Sequence, residues 1–306
     1  ALMDGATVRG LAAMVEAHAS GDRPVSGLTV LQDGEAGRPV LYVTHDLLGS
    51  MFRYGPLIEA LGADQPVVGF ESPALSGEPF PFTRIETFAL RYATEIRRAQ
   101  PHGPYHLFGY SFGGILAFEI ARHLRRAGEE VPLLAVLDIG PGYRGIDYSR
   151  VQMPDGPWLD LPEPPADDAP AHVRAAHLGR IARESPRTAA RYLAFHSRHR
   201  RRLHDVTWRR ELRRDGRIPA DQRLWYAYET HWGLVGPSWS GAAYDGPLTL
   251  FWSDETGATD GTMGWGPLVG ELDIHRVSAG HEQLLDPPAV GVVAEELRAR
   301  LDAGRG

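Results

Sequence analysis

The run Gly109-Tyr110-Ser111-Phe112-Gly113 has the form G-x-S-x-G, with an apolar β-rich stretch before it (Tyr105 to Tyr110) and a helical pattern after it (Gly113 to Ala127). On such a strand-to-helix turn the flanking glycines give the chain room to fold back and the serine projects above the sheet. The next backbone N–H, here that of Phe112, faces the same point as the helix N-terminus. That is the placement a nucleophile needs. A serine hydroxyl is weak by itself, so it requires a base, and the base requires a carboxylate to orient it. In the chain order expected for this turn, acid and histidine both follow the serine. Of the 13 histidines, only His275 and His281 lie after the last β-rich runs begin. His275 falls inside a strand pattern, where a side chain on a sheet face is expected. His281 follows the loop Ser278-Ala279-Gly280 and is the expected base. Spacing leaves the acid open: Asp138 ends a strand pattern 27 residues beyond Ser111, and Asp254 ends another 27 residues before His281. Whichever is not used is expected to be a solvated strand-end carboxylate.

The elements that must position these groups are legible from Leu28 onward. Strands are predicted at Leu28–Leu31, Pro39–Thr44, Pro66–Glu71, Tyr105–Tyr110 and Val131–Asp138. Helices are predicted at Phe52–Leu61, from Thr83 to about Ala99, and at Gly113–Ala127, the last closed by Gly128. Thr83-Arg84-Ile85-Glu86 reads as a capping box. Strands apolar on both faces in βαβα rhythm predict the α/β class, with a mostly parallel sheet and helices on both sides. The rhythm stops near Pro141 and resumes with strands at Leu248–Trp252 and Leu272–Val277 and a helix at Ala289–Leu301. The stretch between, about residues 141–243, holds Pro-rich loops (Asp160 to Pro170) and Arg-rich helical patterns. An interruption of that length between two strands of one sheet is predicted to be a helical insertion, and over an active site such an insertion is a lid. Ala1 to Ala19 carries a helical pattern (Val8, Leu11, Ala12, Val15) broken by Ser20-Gly21-Asp22-Arg23-Pro24. The expected division is therefore a short leading segment, 1–27, and one domain, 28–302. There is no internal repeat.

Composition narrows the classes. The chain has 306 residues, a net charge of −7, 43% hydrophobic residues and no cysteine. At this length a single fold buries about 75% of its unfolded surface. Without cysteine there is no disulfide framework, thiolate zinc site or cysteine nucleophile. The longest apolar runs, such as Val131 to Leu137, fall far short of the roughly 18 residues of a membrane span, and a cytoplasmic protein without membrane partners is expected. All 32 basic residues are Arg, a bias of codon usage rather than a nucleic-acid signal, and the acidic balance repels phosphate backbones.

The motifs together resemble a known family. Gly-Tyr-Ser-Phe-Gly-Gly at 109–114, Gly103-Pro104-Tyr105 before it and Leu137-Asp138 after it are similar to the C-terminal thioesterase domains of nonribosomal peptide synthetases and modular polyketide synthases. The similarity continues through Tyr244 to Phe251, Gly264-Trp265 and Gly280-His281-Glu282-Gln283-Leu284-Leu285, and is diffuse in the insertion. It implies an α/β-hydrolase fold and a seryl acyl-enzyme that releases a carrier-bound chain by hydrolysis or cyclisation. In the assembly-line members the acid usually follows the strand bearing Leu137-Asp138, which favours Asp138. In stand-alone editing relatives it more often follows the later strand, which keeps Asp254 as the alternative. The resemblance implies no directly bound cofactor or metal. The substrate arrives on the phosphopantetheine of a carrier domain, expected upstream in the same polypeptide, and Thr7 to Ala12 is similar to the last helix of such carriers.

This chain departs from the family at one loop. Where the family has a His-Pro-Ala-Gly-Gly-like sequence whose backbone gives the second oxyanion N–H, this chain has His45-Asp46-Leu47-Leu48-Gly49. Position makes Leu47 the donor, while Asp46 and Leu48 replace smaller or more rigid residues and change how a substrate approaches. Asp46 is alternatively placed to order a polar substrate group. In the insertion, Arg198 to Arg217 reads as a solvated helix face, with carrier or phosphate docking as the functional alternative. His196, His199 and His204 among those arginines read as surface residues rather than metal ligands. Trp225, Tyr226, Tyr228, Trp232 and Trp239 have spacings that pack the insertion onto the core; any that line a channel, such as Trp232, would favour a large apolar chain, and Tyr110 is a further candidate substrate contact. A general carboxylesterase and a catalytically silent binding module are the remaining rivals.

Overall fold

Leu133, Ala135 and Leu137 face one side of the sheet and Leu134 and Val136 the other, and all five are buried. This period of two, with apolar residues at every position, marks a strand covered on both faces. In the computed structural model, which describes residues 27–77, 79–141, 170–186, 189, 212, 216–235, 239, 241–254, 256 and 261–303, that strand is β5 of a seven-stranded sheet. The strands are β1 (Leu28–Gln32), β2 (Leu41–Thr44), β3 (Val67–Phe70), β4 (His106–Tyr110), β5 (Leu133–Leu137), β6 (Tyr244–Ser253) and β7 (Val269–Val277). Their spatial order is β1-β3-β2-β4-β5-β6-β7, parallel throughout except for β1, which pairs antiparallel with β3 at the edge.

Helices cover both faces. On one side α2 (Ile85–Ala99) and α3 (Phe112–Arg126) bury Phe88, Tyr92, Ile96, Ile115, Phe118 and Leu124 with Leu107, Leu134 and Trp252 of the strands. On the other, α1 (Gly55–Leu61) and α6 (Ala289–Ala303) bury Leu57, Leu61, Val293 and Leu297 with Val43, Phe108 and Phe251. The α/β class, the mostly parallel sheet and its two helical layers are thus as the alternating pattern predicts. Between β5 and its parallel neighbour β6 the described residues form α4 (Ala171–Glu184) and α5 (Arg223–Val235).

Three local readings change. The helix at Thr83 starts later, at Ile85, with Arg84 as an extended N-cap that makes no side-chain cap bond. Glu86 instead pairs with Arg84, so no capping box forms. Phe52–Leu61 divides into a 3-10 turn (Phe52–Tyr54) and α1, with Pro56 in the first helical turn, where its missing N–H costs nothing. β6 and β7 begin earlier than predicted: β6 opens on Tyr244, ahead of Asp245-Gly246-Pro247, which interrupt its apolar run, and the outer strand β7 leaves polar residues such as Glu271 and Asp273 toward solvent. The leading segment 1–26, the loop 160–169, His196, His199, His204 and the arginines from 198 to 210 lie outside the described residues.

From β2 the chain steps outward to β3, then crosses back to β4 on the other side of β2. The loops leaving the carboxyl ends of β2 and β4 therefore diverge and open a crevice, the place where sheets of this kind present their chemistry. His45 to Gly49 leave β2 there, and Ser111 leaves β4.

Candidate active site

Ser111 is held at φ +53°, ψ −128°, a conformation a non-glycine residue adopts only under constraint. The constraint is visible. Ser111 N–H donates to the Leu137 carbonyl at 2.9 Å, and its own carbonyl accepts from Gly114 N–H at 2.8 Å. A side chain at Gly109 would stand 2.2 Å from the Gly113 carbonyl, and one at Gly113 would stand 2.6 Å from that of Thr44. Both glycines of the motif are thus required by close backbone approach. The turn lifts Ser111 over the carboxyl edge of the sheet at the N-terminus of α3, beside Phe112.

His281 opens a 3-10 turn (His281–Gln283) beyond β7 and reaches back to this point. Its Nε2 lies 3.2 Å from Ser111 Oγ and its Nδ1 lies 2.7 Å from Asp138 Oδ2. A carboxylate only accepts, so Nδ1 carries the hydrogen and the lone pair of Nε2 faces the serine hydroxyl. Asp138 follows β5 at φ +54° and is fully buried. Its Oδ1 accepts from Ser253 N–H at 3.0 Å and its Oδ2 accepts from Thr256 Oγ1 at 2.7 Å, so donors satisfy both carboxylate oxygens. Asp254 stands apart from this chain of bonds. Its Oδ2 accepts from Ser278 Oγ at 2.6 Å on the exposed side. His275 lies on the face of β7 that α6 covers, against Phe251, with its Nε2 2.9 Å from Asp273 Oδ2.

The loop after β2 is held by its own polar groups. Asp46 Oδ1 accepts from Leu48 N–H at 2.9 Å, and the Asp46 carbonyl accepts from Gly49 N–H at 3.1 Å, a turn in which the carboxylate substitutes for backbone rigidity. Asp46 is buried, and loss of hydration pushes its carboxyl up to about 6 despite the Leu48 N–H and the nearby Arg53 cation. Arg53 bonds the Glu282 carboxylate at 2.5 Å and its carbonyl at 2.6 Å, and its guanidinium lies 5.4 Å from the Tyr110 ring centre. Tyr110 packs against the His281 ring and donates its hydroxyl to the His281 carbonyl at 3.0 Å. Tyr110 therefore acts here as a wall behind the imidazole.

Of the aromatics in the insertion, Tyr226 and Trp239 are core residues: Tyr226 OH accepts from Phe80 N–H at 2.7 Å and Trp239 Nε1 donates to Glu119 at 3.1 Å. Trp225, Tyr228 and Trp232 stack along α5, with Trp232 half-buried against the core. Three groups that the residue patterns do not single out complete the surroundings: Thr256 and Ser253 on Asp138, and His231 of α5, fully buried beside His45. Nothing in the sequence separates His231 from the aromatic residues around it. Elsewhere, Asp273, His275 and Glu296 cluster on the surface, and Arg300 bonds both carboxylates there.

Comparison with known proteins bears on the same region. The family model described as Thioesterase domain matches residues 39–156, which include the turn at Ser111, Asp138 and the loop at His45. Vanchrobactin synthetase VabF of Vibrio anguillarum is 28% identical over 99% of this chain and 10% of its own length. The solved thioesterase domain of NocB, in covalent complex with a fluorophosphonate nocardicin G analogue, superposes with TM-score 0.59 at 20% identity, covering 90% of this chain and 100% of that domain. A four-domain nonribosomal peptide synthetase superposes with TM-score 0.58 at 24% identity over 93% of this chain and 21% of its own. The chain spans between 1% and 10% of the length of the first curated relatives it matches. The structural likeness is one of fold, the α/β-hydrolase fold, and the chain resembles the thioesterase domains of nonribosomal peptide synthetases.

Proposed function

We propose that this chain is a thioesterase domain that releases a peptidyl or polyketide chain from a carrier through an acyl-enzyme on Ser111. The observation that carries the reading is the single hydrogen-bonded line from Asp138 through His281 to the strained Ser111. In it, His281 Nε2 takes the hydroxyl proton as Oγ attacks the thioester carbonyl, and Asp138 orients the imidazole and stabilises its charge. The N–H groups of Phe112 and Leu47 receive the oxyanion. His281 then gives its proton to the departing pantetheine thiol. Water, or an amine or hydroxyl of the bound chain, opens the ester with His281 again as base, giving an acid, a lactam or a lactone. Which one follows depends on how far the insertion excludes water.

The carrier is proposed to lie upstream in the same polypeptide, with residues 1–27 as its remnant and linker, since the relatives are synthetases many times this length. The thioesterase domain proper is 28–302, with the insertion at about 141–243 as its lid. Phosphopantetheine enters as the substrate's arm. A cytoplasmic setting accords with this. Among the described residues no helix is long and apolar enough to cross a membrane. The editing-enzyme alternative would use Asp254, which is instead engaged by Ser278.

Thiol release from acyl-pantetheine thioesters, compared with matched oxygen esters, tests the reading. Asp138→Asn is expected to lower kcat by roughly 10³- to 10⁴-fold through the wrong imidazole tautomer, and Asp254→Asn by less than about twofold. The reverse ranking would support the editing enzyme, and a preference for oxygen esters the carboxylesterase.

A further inference from the structure

We propose that His231 of α5 is a positioning residue for the oxyanion loop, fixing the backbone around Leu47 so that its N–H stays aimed at the reacting carbonyl. The inference rests on the acyl-enzyme reading above and adds a part of the machinery contributed by the insertion.

Two successive peptide units of the loop are pinned. In the unit joining Leu47 to Leu48, the carbonyl accepts from His231 Nδ1 at 2.8 Å while the N–H donates to Asp46 Oδ1 at 2.9 Å. In the unit joining Asp46 to Leu47, which contains the Leu47 N–H, the carbonyl accepts from His45 Nδ1 at 2.8 Å and from Gly49 N–H at 3.1 Å. Successive carbonyls of one loop are thus taken by two imidazoles. A carbonyl only accepts, so both rings carry hydrogen on Nδ1. Each Nε2 then faces a hydroxyl, Tyr92 OH at 3.1 Å for His45 and Ser72 Oγ at 2.7 Å for His231.

Packing makes this a clamp rather than a pair of incidental bonds. The imidazoles lie 4.7 Å apart, and His231 stacks on the Phe112 ring at 5.1 Å, so the residue bearing the other proposed oxyanion donor leans on the same ring. Both histidines are fully buried. Gly49 has φ +82°, and a side chain there would come within 2.8 Å of Ser72 and 3.0 Å of His231, so the loop approaches the ring as closely as glycine allows. Ser72 is tied to the same loop, its N–H donating to the Gly49 carbonyl at 2.8 Å. His231 is the one member of this set that belongs to α5. The seating of that helix therefore sets the loop, and the second oxyanion donor is complete only with α5 in place.

The test compares two substitutions that differ in where they put the donor. The amide nitrogen of Asn stands near Nδ1, and that of Gln near Nε2. His231→Asn keeps the bond to the Leu47 carbonyl and is expected to hold kcat within about threefold of wild type, whereas His231→Gln loses it and lowers kcat by roughly ten- to a hundredfold, with KM within about twofold in both. Ser72→Ala, which frees the ring to turn, is expected to lower kcat several-fold at constant KM and serves if the Gln variant does not fold. Equal kcat in the Asn and Gln variants, or a loss confined to KM or thermal stability, overturns the clamp while wild-type turnover leaves the acyl-enzyme reading standing. Absence of turnover by wild type, with no labelling of Ser111 by a fluorophosphonate, overturns both.

Discussion

The backbone N–H of Ser253 donates to Asp138 Oδ1 at 3.0 Å, joining the end of β6 to the end of β5 across the whole insertion. Asp138 in turn donates its backbone N–H to the Phe251 carbonyl at 2.8 Å. The carboxylate that faces His281 is therefore set by the β5–β6 pairing and by one hydroxyl, Thr256 Oγ1, rather than by solvent. A buried carboxylate needs such donors to satisfy and aim its oxygens.

Thr256→Val removes the hydroxyl donor to Oδ2 at nearly constant volume. It is expected to lower kcat about tenfold with little change in KM, because the orientation of Asp138 loosens while the substrate surface is untouched. Steady-state thiol release checks this. An unchanged kcat would mean that Ser253 N–H and His281 hold the carboxylate unaided.

Asp46 bears on stability. Burial raises its carboxyl to about 6, above its value in an unfolded chain, so the native state binds the proton more tightly between about pH 4 and 6. Its charged form therefore costs stability, fully above pH 6, by about 3 kcal/mol. Asp46→Asn keeps an oxygen acceptor for Leu48 N–H without the charge. It is expected to raise the urea midpoint at pH 7 and to leave it closer to wild type at pH 4. Asp46→Ala loses the acceptor as well and is expected to lower kcat by loosening the loop.

His45 has the opposite sign. Burial lowers it to about 4 and lowers His231 well below the usual imidazole range, the neighbouring ring adding to the second effect. For each, the unfolded chain binds the proton more tightly, so stability is full above about pH 6.5 and falls as pH drops toward the folded value. The His45 loss, about 3 kcal/mol, and the Asp46 gain roughly cancel over the window they share, so His231 and His106 of β4, which burial also lowers to about 4, both add to the fall. Besides each other, the His45 and His231 rings face the Tyr92 and Ser72 hydroxyls and the Phe88 and Phe112 rings. His231→Asn, which does not titrate, is expected to flatten the fall in unfolding midpoint between pH 6.5 and 4.

Most of the sheet was legible because both faces of β2, β4 and β5 are buried and their residues read as mostly apolar runs. The starts of β6 and β7 were not, because Asp245-Gly246-Pro247 break the apolar run of β6 and the outer strand β7, with exposed Glu271, carries no such run. The turn at Ser111 announces itself through glycines that close backbone approach requires. The choice between Asp138 and Asp254 is different in kind. Both end strands, both lie 27 residues from one partner, and what separates them is a hydrogen-bond network assembled from Ser253, Thr256 and Ser278, residues remote in sequence. His231 was hidden for the same reason, since its partners are a loop carbonyl more than 180 residues away and a serine after β3.

The measurement that bears most directly on the account is the intact mass of the protein after mixing with acyl-pantetheine thioesters, followed by peptide mapping, for wild type, Ser111→Ala and His281→Ala. A gain of one acyl group is expected on the peptide bearing Ser111 in wild type, none in Ser111→Ala, and acylation slowed by several orders of magnitude in His281→Ala. Thiol release that persists in Ser111→Ala, or an acyl group mapped to another residue, would contradict it.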